Sequence, residues 1–217
     1  MNNRLSRLFE KFRRPPTTHE QPGVTRDEIR WMVIGLGNPG EQYRRSRHNL
    51  GFMVIRAFAA RYGSELTQRK FSGCYTIIRA GAGNAVLAIP QTFYNRSGDC
   101  ANALLGYYKV PPERLIVVHD EMDLPERQIR LKRGGGDAGN RGVRSIAVAL
   151  GTPEFIRVRI GIAHPEAGDG SIDYLLRPLS DDELSSLDPA IARAGDAVLA
   201  VMRDGLDRAR AIYNQRV

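Results

Sequence analysis

Four small polar side chains follow or end apolar runs: Asn38 in GLGNPG, His48 in RHNLGF, Asn95 in QTFYNRSG and Asp120 in VVHDEMDLP. An imidazole has a reference pKa of about 6.5, so His48 suits removal of a proton at neutral pH. A carboxylate such as Asp120 can fix the tautomer of that ring and stabilise its protonated form. Two asparagines supply neutral donors and acceptors for an amide, an attacking water or a developing oxyanion. The chain has no G-x-S-x-G run, and nothing around Cys74 or Cys100 has activating character. The set points to hydrolysis by an activated water rather than through a covalent intermediate.

Two glycine-rich stretches and one acidic cluster compete for attention. Gly35, Gly37 and Gly40 match G-x-G-x-x-G. A dinucleotide loop, however, needs a helix opening at the third glycine and an acidic strand end about 20 residues on. Here EQYRRSRH intervenes before any apolar helical pattern, so the loop reads as a tight turn placing Asn38 at a strand end. The second stretch, KRGGGDAGNRG at 132–142, lacks the ending of a P-loop. Its amides, with Lys132, Arg133, Arg141 and Arg144, could hold phosphates, joined by Arg157 and Arg159 of RVRIGIA. In HDEMD, His119, Asp120, Glu121 and Asp123 have the chemistry of metal ligands, but strand alternation divides neighbours between two faces.

These residues need elements to position them. MVIGLG reads as a buried strand, and HNLGFMVIRAFAARYG as a helix with Phe52, Ile55, Ala59 and Tyr62 on one side. YTIIRA and AVLAIP form a hairpin, CANALLGYYKV a helix, RLIVVHDEMDLP a strand, and RQIRLKR a basic strand before the second loop. VRSIAVALG is a helix and FIRVRIGIA a strand. In the tail, Asp188 caps a helix with Pro189 in its first turn and Ile191, Val198, Met202 and Leu206 on one face. The alternation predicts an α/β fold: a single domain with a mixed, mostly parallel twisted sheet surrounded by helices.

The chain has 217 residues and a net charge of +8. Residues 31–162 carry nineteen basic against ten acidic residues, and residues 163–217 carry six against ten. A basic body with an acidic tail favours polyanionic partners such as nucleic acid. Residues 1–30 read as a basic extension, with RLSRLFEKF forming a short amphipathic helix before RRPPTTHEQPG breaks it. No run is long and apolar enough to span a membrane, and two cysteines do not make a disulfide framework, so a cytoplasmic protein with free thiols is expected.

In combination and order, VIGLGNPGEQYRRSRHNLGF, QTFYNRSG, IVVHDEMDLP, GGGDAGNRGVRS and FIRVRIGIAHP resemble the bacterial peptidyl-tRNA hydrolases over roughly residues 31–215. The resemblance implies an α/β domain, usually monomeric, that needs no metal or cofactor and hydrolyses the ester between a peptide and the terminal ribose of tRNA. It implies His48 as general base, Asp120 as its orienting carboxylate, Asn38 as reader of a blocked peptide, and Asn95 near the reacting carbonyl. Tyr43 and Phe93 would contact the tRNA acceptor end, and Lys132 and Arg159 would receive a phosphate of the acceptor stem. Three departures stand out. Tyr94 occupies a substrate-binding position where the family usually has Met, Asp137 replaces a usual His, and AGNRG replaces GGHNG. The last change puts Arg141 where a substrate-binding Asn is usual, or lets Asn140 serve in its place. Two alternatives remain at this level: a non-catalytic RNA-binding relative, and a metal-dependent phosphoesterase using HDEMD.

Overall fold

Each apolar run that ends in a polar burst becomes a strand of one sheet. The computed structural model describes residues 24–81, 83–165 and 170–215, so the amphipathic reading within residues 1–23 lies outside the described residues. The strands are β1 (Ile29–Gly35), β2 (Gln68–Lys70), β3 (Gly73–Ala80), β4 (Gly83–Pro90), β5 (Leu115–Glu121), β6 (Ile129–Arg133) and β7 (Ile156–Gly161). They pair in the order β2-β3-β4-β1-β5-β7-β6. The core β4-β1-β5-β7 is parallel, and the β2–β3, β3–β4 and β6–β7 pairings are antiparallel. The expected hairpin closes with Ala80 opposite Gly83.

The helices are α1 (Leu50–Arg61), α2 (Ser97–Tyr108), α3 (Arg141–Leu150), α4 (Ser171–Leu176), α5 (Asp181–Asp204) and α6 (Leu206–Tyr213). Alternation along β1 sends Trp31 and Val33 to a core shared with α1 and α5, and Met32 and Ile34 to a core shared with α2 and α3. The sheet is thus covered on both faces, which suits its nearly continuous apolar central strands. Among the described residues no helix is long and apolar enough to cross a membrane.

The tail departs from expectation. Asp188 and Pro189 lie inside α5, which begins eight residues earlier behind Ser180. The Ser180 hydroxyl accepts from the Glu183 amide while the Glu183 carboxylate accepts from the Ser180 amide, a reciprocal cap that satisfies the first turn. Gly205 then ends α5, so Leu206 belongs to the next helix. The short polar strand β2, exposed throughout, also carries no apolar pattern that would announce it.

Successive connections run over opposite faces of the sheet beside β1. The chain passes from β1 through α1 on one face, and from β4 through α2 on the other, so β1 lies where the winding reverses. Sheets of this kind bind ligands at the carboxyl ends of the strands flanking such a point. The turns after β1 and β4 and the end of β5 meet there.

Candidate active site

The entry into α1 is built by close backbone contact. A Cβ on Gly35 would lie 2.2 Å from the Gly51 carbonyl oxygen, and one on Gly51 would lie 2.4 Å from both the Leu36 nitrogen and the Val118 oxygen. Only glycines allow this approach, which draws the start of α1 down onto β1 and β5. Two short 3-10 turns, Glu41–Tyr43 and Arg47–Asn49, separate Gly40 from α1. The helix does not open at the third glycine, as a dinucleotide loop requires, and the glycines serve packing instead.

That packing sets His48 over the end of β5. Its Nδ1 donates to Asp120, 2.9 Å from Oδ2 and 3.1 Å from Oδ1. The histidine side chain is 15% exposed and the carboxylate 3%, so the imidazole opens to solvent while its partner is sealed. With Nδ1 carrying the proton, Nε2 is left as the acceptor. Burial works to raise the Asp120 pKa, but the His48 charge and hydrogen bond, with His119 and the Tyr94 hydroxyl, outweigh it and hold the acid below its usual range.

Asn38 is pinned from both sides. Its backbone amide donates to Asn49 Oδ1 at 2.8 Å, and Asn49 Nδ2 donates back to its carbonyl at 3.0 Å. Its own Oδ1 accepts from the Tyr94 backbone amide at 2.8 Å. The side chain therefore offers its Nδ2 donor to the cleft. Asn49 carries no signal of its own within RHNLGF; its pairing with Asn38 is what makes it part of the site.

The turn after β4 presents alternate sides. Phe93 is 62% exposed and Asn95 is exposed, whereas Tyr94 between them is buried. The Tyr94 ring stacks on His48 with centroids 3.5 Å apart and planes at 11°. Its hydroxyl donates to Asp120 Oδ1 at 3.0 Å and accepts from Asn140 Nδ2 at 3.0 Å. Among the substrate-binding candidates, Tyr94 is thus placed beneath the His48 ring rather than on the open surface. Asn140 caps α3, its Oδ1 accepting from the amides of Gly142 and Val143, while Arg141 points out and is exposed. Of the two readings of AGNRG, Asn140 is the residue turned inward. Tyr43 is half-buried on the first of the two 3-10 turns.

On the other face of β5 the basic residues gather. Arg159 and Lys132 are half-buried, and Glu121 Oε2 lies 3.4 Å from Arg159 Nη1. Burial, then the charges of Arg157 and Arg159, lower the Lys132 pKa. Arg157 does not join an open grip. It is 2% exposed and donates to the carbonyls of Gly134, Gly135 and Gly136, holding the second glycine loop from within. Arg144 is likewise occupied, by a two-point pairing with Asp137.

The acidic cluster is divided as alternation requires. Asp120 faces His48, while His119 and Glu121 face the α2–α3 side, and Asp123 pairs with His164. Among the described residues no group of three His, Cys, Asp or Glu side chains could hold a metal ion. A cavity of about 560 Å³ opens beside Asn38 over Phe52, Met53 and Ile191, but neither His48 nor Asp120 lines it.

A family model described as peptidyl-tRNA hydrolase matches residues 32–217. The peptidyl-tRNA hydrolase of Frankia alni is 42% identical over 191 residues, covering 88% of this chain and 97% of its own. That of Halorhodospira halophila is 41% identical over 179 residues, covering 82% and 92%. The crystal structure of the peptidyl-tRNA hydrolase from Acinetobacter baumannii is similar with a TM-score of 0.77 and 34% identity, over 87% of this chain and 96% of that one.

Proposed function

The chain belongs to the peptidyl-tRNA hydrolase family, and we propose that it cleaves the ester between peptide and tRNA with a water activated by His48. The observation that carries this reading is the sealed Asp120 carboxylate holding Nδ1 of a histidine whose ring is open to solvent. His48 Nε2 takes a proton as the water oxygen bonds to the ester carbonyl carbon. Asp120 stays ionised, orients the ring and stabilises the imidazolium. The carbonyl oxygen becomes an oxyanion beside Asn95. The bond to the ribose oxygen then breaks, and that oxygen takes the proton from His48. A peptide acid and a tRNA with a free hydroxyl result.

Recognition follows from the remaining groups. Asn38 Nδ2 is suited to donate to the carbonyl of a peptide bond, which a free aminoacyl ester lacks. The exposed Phe93 ring offers a stacking surface for a base of the CCA end, with Tyr43 on the neighbouring turn. Lys132 and Arg159 receive a phosphate of the acceptor stem, and exposed Arg141 adds a second cation. The dyad and its supports come from one chain, so we read the active form as a monomer, acting in the cytoplasm.

The test is release of an N-blocked amino acid from its tRNA by the purified protein, with and without EDTA, beside His48→Ala. Chelator-insensitive release that vanishes in the variant, with tRNA affinity retained, is the expected result. Tight tRNA binding without release by the unaltered protein would overturn the catalytic reading.

A further inference from the structure

Tyr94 stands at the centre of contacts that the hydrolytic scheme leaves unused. It differs in kind from the methionine usual at this position, which has no hydroxyl and no flat ring. We propose that Tyr94 is a positioning residue that clamps the His48–Asp120 pair and joins it to the N-terminus of α3 through Asn140. The inference rests on His48 being the base.

Three observations carry it. First, the imidazole is held along two directions: Asp120 takes its Nδ1 edge, and the Tyr94 ring covers one face at 3.5 Å. Rotation of His48 about either constraint breaks the other. Second, the donor order is fixed. Asn140 Oδ1 accepts from the Gly142 and Val143 amides at 3.1 and 3.0 Å, so its Nδ2 faces Tyr94. Turning that amide over would set its NH2 against two backbone donors. The phenol oxygen therefore accepts from Asn140 and directs its own proton to Asp120 Oδ1. That leaves Oδ2, at 2.9 Å, as the nearer acceptor for His48 Nδ1. Burial and the Asp120 charge push the phenol well above its ordinary pKa, so it remains a donor at neutral pH. Third, the surroundings are cut to this ring. A Cβ on Gly142 would lie 2.5 Å from the Tyr94 Cε1, so the first turn of α3 accommodates tyrosine only because it carries glycine there. The Tyr94 backbone amide also fixes the Asn38 side chain, so one residue sets both the base and a substrate-reading amide.

Tyr94→Phe keeps the stack and removes the hydroxyl; Tyr94→Met removes both; Asn140→Ser keeps a helix cap and removes the donor to Tyr94. Each is assayed for kcat and KM on N-blocked aminoacyl-tRNA, for melting temperature, and for the width and exchange of the His48 Nδ1–H signal by 15N correlation of its ring protons. Losing a hydrogen bond to a charged carboxylate predicts a kcat about tenfold lower in Tyr94→Phe, with KM within about twofold. Tyr94→Met falls about tenfold further. In both, Asp120 still fixes the Nδ1–H tautomer of His48, but the Nδ1–H signal broadens as the ring loses its clamp and its proton exchanges faster with water. Asn140→Ser lowers kcat, and adding it to Tyr94→Phe costs nothing more, because the two act through one hydroxyl. A Tyr94→Phe protein with unaltered kcat and an unaltered His48 Nδ1–H signal overturns the proposal. So does a rise in KM with kcat unchanged, which would make Tyr94 a substrate contact. An unaltered protein that turns nothing over fails the hydrolase reading instead, and the comparison of His48 Nδ1–H signals still decides this one.

Discussion

Replacing His119 with asparagine should flatten the acid limb of the stability curve. His119 lies on the central strand β5, 1% exposed, its Nδ1–H donating to the Asp120 carbonyl at 2.7 Å and its Nε2 buried without a partner. Burial, aided by the Arg157 and Arg159 charges and opposed by Asp120, lowers its pKa to about 4. The unfolded chain titrates this ring at about 6.5. Between those values the unfolded state binds a proton that the native state refuses, so native stability is full above the window and falls as pH drops through it. A gap of about 2.5 units, at about 1.4 kcal/mol per unit, amounts to about 3 kcal/mol. Asparagine retains a donor near the Nδ1 position and does not titrate. Urea unfolding of both proteins at steps from about pH 7 to about pH 4 isolates the effect, since every other group titrates in both. The unaltered protein should lead at neutral pH and lose about 3 kcal/mol of that lead by about pH 4. Parallel curves would refute the claim that a neutral ring is sealed in the sheet.

Other perturbations address the site more directly. Asp120→Asn leaves the shape but lets His48 adopt the wrong tautomer, so kcat should fall about 10³-fold or more with the melting temperature nearly unchanged; a loss under tenfold would show that Asp120 is dispensable. Lys132→Ala and Arg159→Ala should each weaken tRNA binding and reduce the slope of log affinity against log salt by about one, with kcat at saturating substrate preserved; an unchanged slope would move the phosphate elsewhere. Gly51→Ala places a methyl against the Leu36 and Val118 backbone at 2.4 Å. It should destabilise by about 1–3 kcal/mol and displace His48, read as a lower melting temperature and lower kcat together; wild-type values would show that the close approach is not needed.

Much of this architecture is legible in the sequence because burial writes itself into apolar runs. β1, β4 and β5 are such runs; Asn38 and Asp120 are identifiable as polar residues where β1 and β5 stop, and His48 as one just before the apolar run of α1 begins. β2 is not legible, since Gln68, Arg69 and Lys70 are polar and exposed, and only pairing with β3 makes them a strand. The capping pair Ser180 and Glu183 was present in the sequence, yet Asp188-Pro189 offered a competing start that the helix runs straight through. Residue type also does not fix direction. Tyr94 sits between two exposed neighbours and turns inward, because a tight turn distributes three successive side chains around its axis. For Asn140 the preference of asparagine for helix caps was a usable signal that it, rather than Arg141, faces in. No local pattern announces that Arg157 is buried while Arg159, on the same strand face, reaches further out.

The way Arg157 meets the second glycine loop frees that loop to diverge. Its three partners are main-chain oxygens, which every amino acid supplies equally. The 134–136 stretch is thus moulded from inside by a side chain that belongs to the sheet, while the Asp137 carboxylate, accepting from the Gly139 amide, shapes the turn that follows. Exposed Arg141 lies beyond both of these holds, so the residue there can change without redrawing the backbone around Asn140. Varying the side chain at 141 is then a swap on a fixed mount, whereas loss of the one guanidinium beneath 134–136 would unseat the loop that leads to it.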